Sequence, residues 1–137
     1  VIDVAVEAPE DVAAPLVDVV RWTCARMGVE RASLGLMVVG PEEMARVNGE
    51  HRARPEPTDV LAFPVDGPEV LEGEWPEDGP PPELGDVLIC PEAADLPLPT
   101  LAVHGLLHLL GYDHETDDGE MLDLQDRLLA EYTAGRG

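Results

Sequence analysis

The spacing of hydrophobic and polar positions changes along the chain, and each change marks an element. Val1 to Glu7 alternates as V-I-D-V-A-V-E, the period of a strand with one buried face. After it, Leu16, Val19, Val20, Thr23, Cys24 and Met27 recur at helical spacing and share one side. Pro9 or Pro15 suits the first turn of that helix, and Gly28 ends it. Leu34 to Val39 is a nearly continuous apolar run, as expected of a central strand. Gly40-Pro41 breaks it and opens a short helix to about Gly49, with Met44 and Val47 inward. His51 to Asp59 reads as a polar loop punctuated by proline. Val60 to Val65 returns to strand, and its Pro64 suits a sheet edge. Leu84 to Cys90 is a fourth strand, stopped by Pro91.

Between the last two strands, residues 66–83 are rich in proline, glycine and acid. They hold too little apolar surface to order firmly, so they read as a flexible flap in which Trp75 is the one anchor. Leu101 to Leu110 is an apolar helix too short to cross a membrane. A final helix to about Tyr132 has the stripe Met121, Leu124, Leu128 and Tyr132, with Asp117 and Glu120 placed to cap its start. The tail 133–137 reads as frayed. The sum is a single α+β domain over residues 1–137, a small mixed sheet of about four strands with helices packed on it.

The chemistry gathers in the stretch from His104 to His114, which holds three of the four histidines. His104 and His108 lie four apart, so on a helix they share a face. Gly111 supplies the left-handed turn that ends the helix and brings His114 back to the same side. Three imidazoles converging on one point can bind a transition metal and leave a fourth position open. The spacing is close to the metzincin protease signature, which has glutamate after the first histidine as general base. Gly105 stands there instead.

Charge narrows the options. Eight basic residues, all arginine, face 29 acidic ones, for a net charge of −21. Such a chain repels nucleic acid at long range, so any phosphate chemistry must rest on a few placed arginines and a cation. Arg46, Arg52 and Arg54 are the one local gathering of positive charge. Cys24 and Cys90 form no CxxC pair and read as buried free thiols of a cytoplasmic protein. The chain shows no signal-like or membrane-spanning run.

Three stretches carry a family resemblance. They are Val47-Asn48 with Arg52 and the run Pro57-Thr58-Asp59-Val60-Leu61-Ala62-Phe63-Pro64, then Leu84 to Cys90, then the histidine stretch. Together they resemble the YbeY family of bacterial metal-dependent endoribonucleases. The segment between Cys90 and His104 is shorter than in other members, and Ala62 stands where serine is frequent.

The resemblance implies an α+β fold and one zinc ion on His104, His108 and His114. It implies cleavage of single-stranded RNA in ribosomal RNA maturation and ribosome quality control, with ribosomal proteins or an assembly GTPase as further partners. Arg52 matches the family's active-site arginine and would stabilise transition-state charge. Arg46 and Arg54 would steer the RNA backbone. Asp113 would orient a ligand histidine, or serve only the turn after Gly111. Two other readings stay open from the residues. One is a zinc peptidase or other metallohydrolase, for which Asp59 or Asp86 would have to replace the missing glutamate. The other is a non-catalytic ribosome-assembly factor with a zinc site.

Overall fold

The computed structural model describes residues 1–73, 75, 76 and 78–136. Strands β1 (Ile2–Glu7), β2 (Ala32–Val38), β3 (Val60–Pro64) and β4 (Glu83–Ile89) form one sheet in the order β1-β2-β4-β3. The first three in that order run parallel, and β3 lies antiparallel to β4 at the edge. Helices α1 (Glu10–Arg26), α2 (Pro41–Arg52), α3 (Gly67–Leu71), α4 (Leu98–Leu109) and α5 (Glu120–Arg136) complete the α+β domain. The mixed sheet, the central place of β2 and the edge place of Pro64 all agree with the sequence reading.

The alternation of β4 divides the core. Val87 and Ile89 join the main cluster with Leu16, Val19, Leu36, Leu101, Leu106 and Met121, under α1, α4 and α5. Leu88 and Cys90 face the other way and pack with Met44, Val47 and Leu61 under α2. A strand buried on both faces must be apolar at successive positions, which is why β4 reads as a run. Cys24 and Cys90 are buried free thiols. Burial pushes the Cys24 thiol up to about 12, so it is an inert core group.

Helix α4 is buried almost all round, with Leu101, Ala102, Val103, Leu106, Leu107 and Leu109 inside. Gly105 lets it lie close to the sheet. A Cβ there would stand 2.5 Å from Val87 Cγ1. The capping pair of α5 forms as expected. Asp117 accepts from the Gly119 and Met121 amides at 2.8 and 2.9 Å, and Glu120 accepts from the Asp118 amide at 2.7 Å.

Four boundaries differ from the sequence reading. Helix α2 runs through Gly49 to Arg52, because Ala53 in the left-handed region (φ 56°) is its terminator. Gly49 is used for contact instead: a Cβ there would stand 3.3 Å from Pro55 Cα. Helix α4 starts earlier, at Leu98, with Pro99 in its first turn. Helix α5 continues to Arg136, and Gly137 lies outside the described residues. Within 66–83, where a flap was expected, Gly67–Leu71 is helical and Asp66 accepts from the Glu83 amide at 2.9 Å. Trp75 donates to the Pro80 carbonyl at 3.0 Å, while Glu74 and Glu77 of that segment lie outside the described residues.

Candidate active site

Helix α4 sets His104 and His108 one turn apart on its single polar side. It ends at Leu109, and Gly111 takes φ 101°. The Gly111 and Tyr112 amides reach back to the His108 and Leu107 carbonyls at 3.0 and 3.1 Å, closing the helix end. Helix α3 supports this turn from below. Gly67 lies so close to α4 that a Cβ there would stand 1.8 Å from the Leu109 carbonyl oxygen.

The turn delivers His114 to the other two. The three imidazole centroids are 4.8, 5.0 and 5.2 Å apart, and one ring nitrogen from each lies within 4.8 Å of the others. All three rings are half-buried.

The hydrogen bonds of the rings set which nitrogen is free. His108 Nδ1 donates to the Tyr112 carbonyl at 3.0 Å, which leaves Nε2 with a lone pair. His104 Nδ1 stands 2.7 Å from Gln125 Oε1, and donation to that oxygen again frees Nε2. His114 Nδ1 is buried and has no hydrogen-bond partner among the described residues. Burial, then the nearness of His104 and His114, holds His108 below the ordinary histidine range. The neutral imidazole this favours is the form that ligates a metal. Three imidazoles on one point, one with an orphaned nitrogen among the described residues, fit a transition-metal ion.

The histidines form one wall of a cleft of about 690 Å³. The facing wall is the edge strand β3 with Thr58, Asp59 and Arg52. Asp59 O accepts from Cys90 N and Leu84 O from Val65 N, so the β3–β4 ladder uses the odd positions of β3. The backbone groups of Val60 and Ala62 therefore face away from β4, on the cleft side.

Of the three arginines, only Arg52 reaches this cleft. It is exposed at the end of α2, and its guanidinium has no partner among the described residues. Arg46 is engaged elsewhere, bound to Glu43 and, at 3.0 Å, to Glu50 on the outer face of α2. That contact holds the Glu43 carboxyl below the usual carboxylate range. Arg54 is exposed and outside the cleft wall. Asp113 lines the cleft, but its carboxylate accepts the Glu115 amide at 3.0 Å, which is turn chemistry. Asp59 is a cleft residue. Asp86 is not: it packs over Gly35, where a Cβ would stand 2.2 Å from its Oδ1.

One residue escaped the sequence reading, and one residue of the Val47-Asn48 motif acquires a partner. Gln125 is buried at 6% exposure and bonds His104. Its signal was a lone polar residue between Met121 and Leu128 on the packing stripe of α5. Asn48, also buried, donates from Nδ2 to the Glu56 carbonyl at 2.9 Å and ties down the loop after Arg52.

Comparison with known proteins places these features. The family model described as Endoribonuclease YbeY matches residues 4–133. The Endoribonuclease YbeY of Mycobacterium tuberculosis is 41% identical over 151 aligned positions, covering 97% of this chain and 84% of that protein. Its counterpart from Acidothermus cellulolyticus is 39% identical over 137 positions, covering 88% of this chain and 84% of the relative. The M. tuberculosis alignment is longer than this 137-residue chain, so that relative carries residues this chain lacks. A solution structure of a Thermotoga maritima protein shares the fold, with a TM-score of 0.58 and 22% identity over 98% of this chain and 93% of that one. With residues 4–133 of its 137 matched by the family model, this chain belongs to the YbeY endoribonuclease family.

Proposed function

We propose that this protein hydrolyses single-stranded RNA in ribosomal RNA maturation and quality control, in the cytoplasm, with one zinc ion held by His104, His108 and His114. The observation that carries this reading is the convergence of the three imidazoles on one wall of a cleft whose facing wall holds Arg52. Zinc bound there would supply a Lewis acid that polarises a phosphoryl oxygen and activates water near neutral pH. The chain's own residues do the rest. Arg52, with its guanidinium unengaged among the described residues, offers paired N–H donors to the charge that develops on the phosphate. The outward amides of Val60 and Ala62 add uncharged donors along the strand. Asp59 and Glu115 are further carboxylates on the cleft wall. Arg46 and Arg54 contribute at most at long range, given their places outside it.

The peptidase reading loses support from Gly105. That position faces Val87 beneath the sheet, so it has no room for the glutamate of the protease signature. The net charge of −21 supports a basic protein partner, such as a ribosomal protein or an assembly GTPase, that brings the RNA to the cleft. No helix of the described residues is long and apolar enough to cross a membrane.

The test is to measure bound metal and single-stranded RNA cleavage in the wild type, His108→Ala and Arg52→Ala. One equivalent of zinc in the wild type, and cleavage lost in both variants, is the expected result. Cleavage that survives both changes overturns the assignment. Casein hydrolysis in place of RNA cleavage transfers it to the peptidase, and zinc binding with neither activity to the assembly factor.

A further inference from the structure

We infer that Gln125 is a positioning residue that sets the affinity and net charge of the three-histidine site. The inference rests on the reading that those histidines bind a metal.

Three observations converge on it. Gln125 Oε1 lies 2.7 Å from His104 Nδ1, across 21 residues of sequence. The residue is 6% exposed, while its neighbours Asp123 and Asp126 on α5 are exposed. Helix α5 begins just after the turn that carries His114, so this bond ties the first and third histidines into one unit.

The chemistry follows from the amide. Its carbonyl oxygen accepts the Nδ1 proton, so His104 is held in the tautomer whose Nε2 is free. Without it, a buried N–H loses its partner and the ring is free to turn. The amide is also neutral. This chain has 29 acidic residues and a single glutamine, and the glutamine is the residue that meets His104. His108 is likewise held by a neutral group, the Tyr112 carbonyl. No carboxylate hydrogen-bonds any of the three imidazoles among the described residues. A glutamate at 125 would draw the Nδ1 proton, make the imidazole a stronger donor and lower the charge left on the metal. The site is thus built to keep the full pull of a dication on the substrate, and gives up affinity to do so.

The experiment uses the full chain, stripped of metal and titrated with zinc against a chelating indicator. Cobalt loading gives the ligand-field spectrum, and circular dichroism reports the fold. Gln125→Leu keeps a buried branched side chain, one atom shorter and without the acceptor; zinc affinity is expected to fall about 10- to 100-fold. Gln125→Glu is expected to bind zinc more tightly than the wild type, with the pH profile of RNA cleavage displaced upward. Both folded variants matching the wild type within twofold, with unchanged cobalt spectra, would overturn the inference. If Gln125→Leu fails to fold, Gln125→Glu decides alone, and affinity equal to or weaker than wild type overturns it. A wild type that takes up no zinc overturns the metal reading itself; variants that match a zinc-binding wild type overturn only the role of Gln125.

Discussion

The two walls of the cleft are built in opposite ways. The histidine wall rises from α4, whose apolar residues are buried, and from a turn closed by backbone bonds and backed by α3. Two of its three imidazoles are hydrogen-bonded through Nδ1. In the facing wall, beside the edge strand β3, Arg52 stands on the exposed end of α2. It is fixed at its base by Asn48 on the Glu56 carbonyl and by Gly49 against Pro55, yet the Arg52 guanidinium has no partner among the described residues. Directional groups that must meet at one point are locked by packing. A long charged side chain that must meet a polymer is anchored only at its root. The difference separates a rigid half of the site from an adaptable one.

The strongest way to break the rigid half is His108→Ala. Metal content by elemental analysis is expected to fall well below one equivalent, and RNA cleavage to background. Arg52→Ala tests the adaptable half. Cleavage is expected to drop about 10²- to 10³-fold while metal content stays at the wild-type level. Arg52→Lys should recover only part of that loss, because an ammonium lacks the planar pair of donors. A fall in bound metal on either arginine change would abolish the distinction between the walls.

Gly105→Ala probes the support under the histidines without touching them. Its Cβ would meet Val87, so a loss of about 1–3 kcal/mol is expected in a denaturant titration, and more for Gly105→Glu. Unchanged stability would show that α4 can lift from the sheet. Asn48→Ala is the mildest change. A loss of about 1 kcal/mol is expected for the missing bond, together with slower cleavage. In an Arg52→Ala background the cleavage effect of Asn48→Ala should vanish; additive losses would show that Asn48 does not act through the arginine.

How much of this was legible depended on the range of the interaction. The histidine spacing was readable because a helical turn and a glycine stop are local rules. The strands were readable from alternation and from the two-sided burial of β4. Arg52 was placed in a loop, since Gly49 looked like a helix end, whereas the left-handed residue is Ala53. Gln125 was missed because its partner lies 21 residues away. Helix α3 was missed because it is five residues long: it packs through Gly67 on the Leu109 backbone and the apolar side chain Val70 on the core, too few contacts to show a hydrophobic period. Neither Arg46 nor Arg54 could be separated from Arg52 by composition; the ion pairs of Arg46 with Glu43 and Glu50 set that arginine apart, and its place outside the cleft wall sets Arg54 apart.

The tight seat of Gly105 on Val87 also bears on how such a chain can diverge. A single codon change at 105 toward the protease signature would introduce a side chain against the sheet, not toward the cleft. The change becomes accessible only if position 87 shrinks or the helix rotates at the same time. Positions 87 and 105 are therefore expected to vary as a pair across descendants of this sequence. The route from this chemistry to the protease's is closed to stepwise drift at the glycine alone.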